Sequence, residues 1–389
     1  MISNAYKLFI IILVGIVAVI AIIYFTTTRS RDYFTIMRSR GSQSGTGYVS
    51  KCDKLIPYNT LSISPVTGDH AADHTHRLRD YYIKCAFNAC ASGKFEGGAV
   101  ELCALDNCLK NGSRGLDFEI YSVDGEPVIS CSNTRKGTTK GTDNHLNFNN
   151  VMRYIDTNAF SETFCPNNYT DPLLINLRIH VEDSTIVGDI YNKMAQTIAK
   201  VFNGSGRLIT DHLYDGKTSI GAKKLLDCRG KVIIMVDGTN LVRDDGNNNI
   251  DIFERSNLAR YTNLYNTSFS TETRRYTSSE IRTLSGNDEE KKELIKHHNN
   301  GKMSLVIPAR SARNISFVDN KDTGVSMFFM CNQLDDDNIK EYHTFFSEGG
   351  TSFVKKAPNL MSIPVVEKTP DQYTSKEATS TGPIHDITV

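Results

Sequence analysis

The segment from Tyr81 to Asp124 constrains the fold of this chain most, because its residues predict a strand, a helix and a second strand in succession. Tyr81–Phe87 is a short run of aromatic and apolar residues, which is typical of a buried strand. From Gly98 to Leu109 apolar residues recur at roughly helical spacing. Gly115–Ser122 predicts the second strand, and a right-handed crossover would set the two strands parallel in one sheet.

Three oxygen-bearing side chains fall at the ends of these two predicted strands. Asn88 follows the first strand directly, and Asp117 and Glu119 lie two residues apart on the second. Residues two apart on a strand share a face, so both carboxylates project the same way. The parallel crossover brings that face beside Asn88. Two acids and one amide at strand ends are suited to binding a hard cation or to proton transfer.

Strands and helices continue to alternate beyond this segment, which predicts a parallel sheet covered by helices. Further strands are predicted at 173–180, 230–236, 304–307, 326–330 and 352–354, and further helices at 147–160, 186–202 and 287–298. Between 251 and 285 the sequence is polar, and only Arg260–Tyr265 is strand-like there.

The most apolar stretch of the chain is Leu8–Phe25. At about 1.5 Å per residue it is long enough to cross most of a ~30 Å hydrocarbon core, so it predicts a transmembrane helix, with a cleaved signal peptide as the alternative. Arginines at 29, 31, 38 and 40 follow it and only Lys7 precedes it, which predicts a cytoplasmic body. The 44 basic and 44 acidic side chains of the 389-residue chain argue against a nucleic-acid-binding protein.

Two further patterns bear on that orientation. Five Asn-x-Ser/Thr triplets would indicate the opposite side of the membrane if they carried glycans, although such triplets arise readily by chance in an Asn-rich chain. They begin at Asn111, Asn168, Asn203, Asn266 and Asn314. Nine cysteines occur without a CxxC pair. They are interpreted as buried thiols on a cytoplasmic face, or as disulfides in an oxidising compartment.

The predicted organisation has five parts. They are a short N-terminal segment (1–7), a transmembrane helix (8–25), a flexible basic and polar linker (26–50), a folded body (51–365) and a disordered tail (366–389).

The motifs of the body resemble the X region of phosphoinositide-specific phospholipase C. YYIKCAFNACASG, from Tyr81, is similar to that family's first strand, in which two aromatics and an isoleucine precede histidine-asparagine and then glycine. GSRGLDFEIYSVDGEPVIS, from Gly112, is similar to the second strand, with two acids one residue apart, a turn and a proline-valine strand. The resemblance covers X-like residues 81–203 and Y-like residues 303–360, and it is nearer to shortened, viral-type relatives than to multidomain animal enzymes.

This resemblance implies a TIM-type (β/α) barrel of the PLC-like phosphodiesterase kind, with the ligand cleft at the C-terminal strand ends. It also implies a reaction in which the inositol 2-hydroxyl attacks its own phosphodiester and releases diacylglycerol. The family uses two histidines for proton transfer, and the matched positions here are Phe87 and either Cys131 or Ser132. These residues do not replace imidazole. Since each lost acid-base group commonly lowers a rate by about 10²–10⁴-fold, the resemblance implies a degraded active site with weak or no hydrolysis.

Asn88, Asp117 and Glu119 match three positions that bind calcium in the eukaryotic family, so the resemblance implies a calcium site or, if the site is altered, no cofactor. Where the family has a glutamate in its third core strand, this chain has Arg178, whose charge would repel a metal ion. The guanidinium is interpreted in two ways. It either replaces the cation in charge stabilisation, as in metal-independent bacterial relatives, or it pairs with Asp117 or Glu119 as a structural partner.

Other residues extend this list of candidates. His180 shares the predicted strand face of Arg178 and is either a substitute acid-base group or a structural histidine. Lys136 and Lys140, in the loop after the second strand, are candidate cations for an anionic headgroup. Met235 and Asp237 stand where the eukaryotic family places phosphate-binding lysines, which removes support for a polyphosphoinositide preference.

These observations lead to two hypotheses. The first is a membrane-anchored phosphodiesterase of the phospholipase C type, acting weakly or not at all on a phosphoinositide-like headgroup, with Asp117, Glu119, Arg178 and His180 as candidate catalytic residues. The second is an inactive barrel that binds a lipid headgroup or a protein at a membrane, such as a viral envelope. The missing histidines favour the second hypothesis, whereas the retained set of Asn88, Asp117 and Glu119 favours a surviving ligand function. No nucleic-acid partner is expected, and the residues indicate no particular protein partner.

Overall fold

The structure is a computed structural model that describes residues 63–66, 74–133, 139–213, 219–241, 250–266, 273–284, 289–308 and 313–361. Within these ranges the chain forms a nearly closed parallel barrel covered by helices. The predicted transmembrane helix (8–25), the linker (26–50) and the tail (366–389) lie outside them. Among the helices that the structure describes, none combines the length and the apolar character that crossing a membrane requires.

The described strands form one sheet that curves into the barrel. They are β1 (Tyr81–Ala86), β2 (Gly115–Val123), β3 (Glu126–Ser130), β4 (Leu146–Asn147), β5 (Leu173–Ile179), β6 (Val232–Asp237), β7 (Leu264–Asn266), β8 (Thr273–Thr277), β9 (Met303–Ile307), β10 (Met327–Met330) and β11 (Phe353–Lys355). Eight of them pair in parallel in the order β7-β6-β5-β2-β1-β10-β9-β8. No described hydrogen-bonded register joins β7 to β8, so the barrel is nearly closed.

Helices follow most barrel strands, as the sequence pattern predicts. Those in the described ranges are α1 (Leu102–Lys110), α2 (Phe148–Asn158), α3 (Ser184–Ile198), α4 (Ile250–Glu254), α5 (Ser278–Leu284), α6 (Glu289–Gly301), α7 (Phe317–Asn320) and α8 (Asp337–Glu348). A π-helical turn, Ala199–Asn203, continues α3. The strand-like interpretation of Arg260–Tyr265 is partly wrong, because Ala259–Tyr261 is a 3₁₀ turn and β7 begins only at Leu264.

The barrel strands are covered on both faces, which explains why most of them appear in the sequence as continuous apolar runs. Every residue of β1, β5, β6, β9 and β10 is buried. An aromatic cluster, built around Phe317 with Phe328, Tyr342 and Phe346, packs against the outside of β10. Polar side chains in the barrel interior are therefore surrounded by protein and need partners within it.

One glycine is required where β1 and β2 approach each other. A Cβ atom at Gly115 of β2 would overlap the Sγ atom of Cys85 on β1. The two residues are register partners in the parallel pair. Glycine therefore allows these two strands to lie side by side at the base of the site.

Candidate functional site

Arg178 of β5 joins the oxygen side chains that the sequence singles out. Its Nε donates to Asp117 Oδ1 at 2.8 Å and its Nη2 to Asp117 Oδ2 at 2.7 Å. Its Nη1 donates to Glu119 Oε1 at 2.6 Å, and its Nη2 donates also to Asn88 Oδ1 at 2.8 Å. The side chain of Arg178 is 3% exposed and both carboxylates are 0% exposed. These four residues, here called the Arg178 network, are shielded from water, which strengthens their electrostatic interaction.

Strand register explains why the four side chains meet. On the parallel pair of β2 and β5, Asp117 lies opposite Asn176 and Glu119 opposite Arg178. Since residues two apart share a face, the acids and the arginine point into the barrel together. Asn88 reaches them from the end of β1 with φ of 44°, in the left-handed region that asparagine tolerates better than most residues. Its backbone N–H donates to Asp117 Oδ2 at 3.2 Å, which fixes this turn beside the acids.

The two carboxylates also accept hydrogen bonds from residues outside the Arg178 network. Asn176 Nδ2 donates to Asp117 Oδ1 at 2.8 Å. The hydroxyl of Tyr121 donates to Glu119 Oε2 at 2.6 Å, and the backbone N–H of Ser132 donates to the same oxygen at 2.9 Å. All four carboxylate oxygens of Asp117 and Glu119 therefore accept at least one hydrogen bond.

The charge of Arg178 is fixed by these partners. Burial by itself lowers the pKa of the guanidinium, but the negative charges of Asp117 and Glu119 outweigh it and raise the pKa well above its ordinary value. The arginine therefore remains a cation at every relevant pH. Its described hydrogen bonds use four of the five guanidinium N–H groups, which leaves one Nη1 hydrogen for another acceptor.

Phe87 and Cys131, which the sequence resemblance aligns with histidines, both lie beside this arginine. The guanidinium carbon of Arg178 is 4.3 Å from the centroid of the Phe87 ring, a cation–π contact that covers one side of the cation. Cys131 is buried near the network. The pKa of the Cys131 thiol is raised well above its ordinary value, mainly by burial and secondly by the negative charge of Glu119. Neither side chain therefore exchanges a proton near neutral pH.

The other predicted site residues are placed at different distances from the network. His180 is buried and stacks on Tyr121 with 5.3 Å between ring centroids, so it lies one side chain away from Glu119. Lys140 Nζ donates to the backbone oxygen of Thr142 at 2.9 Å and so is held against its own loop. Lys136 lies outside the described residues.

A second ion pair crosses the barrel interior where β7 and β8 are not joined. Asp237, at the end of β6, is register partner to both Arg178 on β5 and Asn266 on β7. Its Oδ2 lies 3.3 Å from Nη1 of Arg275 on β8, and the carboxylate is 0% exposed. Asp237 therefore links β6 to β8 across the opening and does not act as a phosphate-binding cation.

A comparison with models of protein families identifies the family to which this part of the chain belongs. Residues 74–237, which include the whole Arg178 network, match the family described as Phosphatidylinositol-specific phospholipase C, X domain. This segment is an X domain of that family. The match ends at residue 237, so the Y-like assignment of residues 303–360 stays a prediction. A search of curated protein sequences found no match.

Solved structures show the same fold at low sequence identity. S. officinalis PLC21 is similar with a TM-score of 0.58 and 17% identity, over 80% of this chain and 40% of that structure. L. pealei PLC21 is similar with a TM-score of 0.56 and 16% identity, over 74% of this chain and 38% of that structure. This chain therefore spans about two fifths of the length of the two PLC21 structures.

The oxygens of this X domain do not fit a calcium ion. Calcium takes about six to eight oxygen ligands. Here Asn88 Oδ1 and the oxygens of Asp117 and Glu119 already accept hydrogen bonds, and Arg178 places a positive charge among them. Across the described residues no group of three or more His, Cys, Asp and Glu side chains is arranged to hold a metal ion. The guanidinium thus takes the position that a bound cation would need.

Sequence reasoning missed several partners in the X domain. Asn176 and Tyr121 both follow the two-residue period of the named acids and arginine, so extending that period by one step along each strand would have found them. Asn266, whose Nδ2 donates to Asn176 Oδ1 at 3.0 Å, lies in the polar region that gave no clear pattern. Arg275 lies in the same region, and its sequence neighbours gave no signal of an inward-facing position.

Proposed function

We propose that this protein is a membrane-anchored barrel of the phospholipase C type with a degraded phosphodiesterase site, so that its hydrolysis of phosphatidylinositol is very weak or absent. The single observation that carries the proposal is the enclosure of Arg178 by Asn88, Asp117 and Glu119. A guanidinium that is paired in this way neutralises the carboxylates and is not free to bind a phosphoryl group.

The charge balance of the network supports this proposal. Asp117 and Glu119 as carboxylates contribute two negative charges and Arg178 one positive charge, so the network carries a formal net charge of about −1. A phosphodiester is also an anion. In an interior of low dielectric constant, a net negative centre disfavours the approach of such a substrate.

The proton-transfer groups are also missing from the matched positions. Phe87 has no titratable group, and the pKa of Cys131 is raised by burial and by Glu119. A positioned general acid or base commonly contributes about 10²–10⁴-fold to a rate. Because the two roles belong to one reaction, their losses do not simply multiply, and the absence of either group should already cost about 10²–10⁴-fold.

Under this proposal the barrel binds rather than hydrolyses, at the surface of the membrane that anchors it. The bound group is an anionic lipid headgroup that stays outside the net negative Arg178 network, and the loop residues Lys136 and Lys140 are its candidate contacts. A second candidate function is a slow hydrolase that uses the remaining Nη1 hydrogen of Arg178 to stabilise transition-state charge, with His180 as its acid-base group. The burial of His180 against Tyr121, next to Glu119, is the observation that favours this alternative.

Hydrolysis of phosphatidylinositol by the purified protein tests both candidates. Phosphatidylinositol vesicles are incubated with the protein in calcium and in chelator, beside an active phospholipase C as the positive control. We expect release of diacylglycerol at or near background in both conditions. Robust turnover that is lost in His180→Ala would establish the slow hydrolase. Robust turnover that survives His180→Ala would defeat both accounts of the site.

Binding is measured separately from turnover. Sedimentation with phosphatidylinositol vesicles is compared with sedimentation with phosphatidylcholine vesicles, using the wild type and Lys140→Ala. We expect preferential binding to the anionic vesicles, and weaker binding of the variant. Equal binding to both vesicle types would show that the barrel does not recognise an anionic headgroup.

A further inference from the structure

Cys103, the second residue of α1, is disulfide-bonded. The seven other cysteines in the described ranges are free and buried: Cys85, Cys90, Cys108, Cys131, Cys165, Cys228 and Cys331. Disulfides form and persist in oxidising compartments and are rare in the cytosol, where thiols are kept reduced. Burial protects the free thiols from forming other disulfides in such a compartment. A disulfide-bonded cysteine together with buried free thiols is the pattern expected of a protein in an oxidising compartment.

From this pattern and from the exposure of one asparagine, we propose that the barrel faces an oxidising compartment and that Asn203 is its acceptor for an N-linked glycan. The proposal opposes the orientation predicted from the arginines that follow Leu8–Phe25. It concerns the side of the membrane and a covalent modification, and it is independent of whether the barrel hydrolyses lipid.

Burial separates the described Asn-x-Ser/Thr triplets into two classes. The asparagines at 111, 168, 266 and 314 are buried, with exposed fractions of 4%, 2%, 0% and 8%. The Nδ2 atom of Asn266 donates to Asn176 Oδ1 at 3.0 Å, and that of Asn314 donates to the backbone oxygen of Cys331 at 3.2 Å. A glycan on Nδ2 would have no space at these positions. Asn203 alone among the five triplets has an exposed asparagine.

The local structure at Asn203 presents this triplet on the surface. Asn203 ends the π-helical turn that follows α3. The backbone N–H of Gly206 donates to the carbonyl oxygen of Asn203 at 3.1 Å, which closes a turn over the triplet. The hydroxyl of Ser205, the third residue of the triplet, donates to Asp156 Oδ1 at 2.9 Å in an exposed position. A glycan at Asn203 would extend into solvent without disturbing the barrel.

The proposed modification is an ordinary oligosaccharide transfer. The co-substrate is an oligosaccharide linked to a lipid pyrophosphate. A bond forms between the anomeric carbon of the sugar and Nδ2 of Asn203, and the bond from that carbon to the phosphate oxygen breaks. Nδ2 gives up one proton, and the lipid pyrophosphate leaves with the bonding electrons. No oxidation or reduction is involved in this step.

The test expresses the full-length chain in cultured eukaryotic cells and treats it with peptide N-glycosidase. The variants are Asn203→Gln and Ser205→Ala, which destroy the triplet, and Ser205→Thr, which keeps it and serves as the matched control. We expect one glycan on the wild type and on Ser205→Thr, seen as a single mobility shift that the enzyme removes. We expect no shift with the other two variants. A shift that persists in Asn203→Gln would overturn the assignment of the site.

The disulfide supplies a second readout that does not depend on glycosylation. Free thiols are alkylated in denatured protein before reduction, and the peptides are identified by mass spectrometry. We expect Cys103 to be protected until the protein is reduced, whereas the free thiols, such as Cys85, are alkylated before reduction. An alkylated Cys103 in an unglycosylated wild type would overturn the proposal, whereas a protected Cys103 without a glycan would overturn the assignment of Asn203.

Discussion

Replacement of Arg178 by alanine should destabilise the barrel strongly, because it leaves Asp117 and Glu119 buried without their counter-charge. Both carboxylates are 0% exposed, and each lies within 2.7 Å of a guanidinium nitrogen. Removal of one partner from a buried ion pair costs about 3–5 kcal/mol. Since a domain of ordinary size is stable by about 5–15 kcal/mol, this loss is a large fraction of the total.

A half-exposed arginine supplies the matched control for this experiment. Arg207 also pairs with one carboxylate, Asp156, at 3.1 Å, and its guanidinium carbon also lies 4.3 Å from an aromatic centroid, that of Phe160. The two side chains of this ion pair are 31% and 25% exposed. An ion pair near the surface contributes about 0–1 kcal/mol, so Arg207→Ala should cost much less than Arg178→Ala. Unfolding in urea, followed for the wild type and both variants, measures the difference.

Calcium distinguishes the loss of a cation from a simple loss of packing. Arg178→Ala frees the oxygens of Asn88, Asp117 and Glu119, and these are ligands that calcium prefers. At a calcium concentration about 100 times its dissociation constant, binding would restore about 2.7 kcal/mol to the variant. The wild type should not respond. Equal destabilisation by Arg178→Ala and Arg207→Ala, or a wild type that calcium stabilises as much as the variant, would refute the reasoning.

The remaining predictions concern catalysis, pH and strand packing. Phe87→His with Cys131→His should raise phosphatidylinositol hydrolysis more than either change alone, since the two roles belong to one reaction; equal rates for the double and single variants would contradict this. The pKa of His343 is lowered to about 2, mainly by burial and secondly by the positive charge of Lys84. The folded state therefore binds fewer protons than the unfolded state between about pH 2 and 6.5. The contribution of His343 to stability should therefore fall by about 2 kcal/mol between pH 7 and pH 5, and denaturant titrations of His343→Phe should show a correspondingly smaller fall than the wild type. Gly115→Ala should cost about 1–3 kcal/mol in the same titrations because its Cβ would overlap the neighbouring strand, and an unchanged midpoint would show that the strands adjust.

The alternation of strands and helices predicted a parallel sheet covered by helices, and the resemblance to the phospholipase C family implied the barrel. Residue spacing along the strands predicted the convergence of the Arg178 network. Parallel strands buried on both faces appear as apolar runs, and a two-residue period on β2 and β5 sets which polar residues point inward. The sequence did not decide between the two interpretations of Arg178. That choice depends on side-chain torsions, which direct the guanidinium towards Asp117 and Glu119 at once, and no residue pattern specifies them.

Strand β8 was not predicted from the sequence, for a different physical reason. Thr273–Thr277 forms β8, but three of its five residues are only partly buried, since the strand lies at the opening of the barrel. Its sequence, TRRYT, therefore lacks the apolar run that identified the other strands. Its pairing with β9 comes from tertiary contacts, which a local pattern does not contain.

A positive charge that belongs to the chain behaves differently from a bound ion. A metal ion is lost on dilution or to a chelator, whereas the guanidinium of Arg178 leaves its partners only if β5 itself moves. The effective concentration of this cation beside Asp117 and Glu119 is therefore independent of the surrounding medium. The same arrangement links the three positions in evolution. Loss of the arginine alone would leave two buried carboxylates without a counter-charge, so a replacement at 178 should be accompanied by a replacement at 117 or 119 in descendants of this chain.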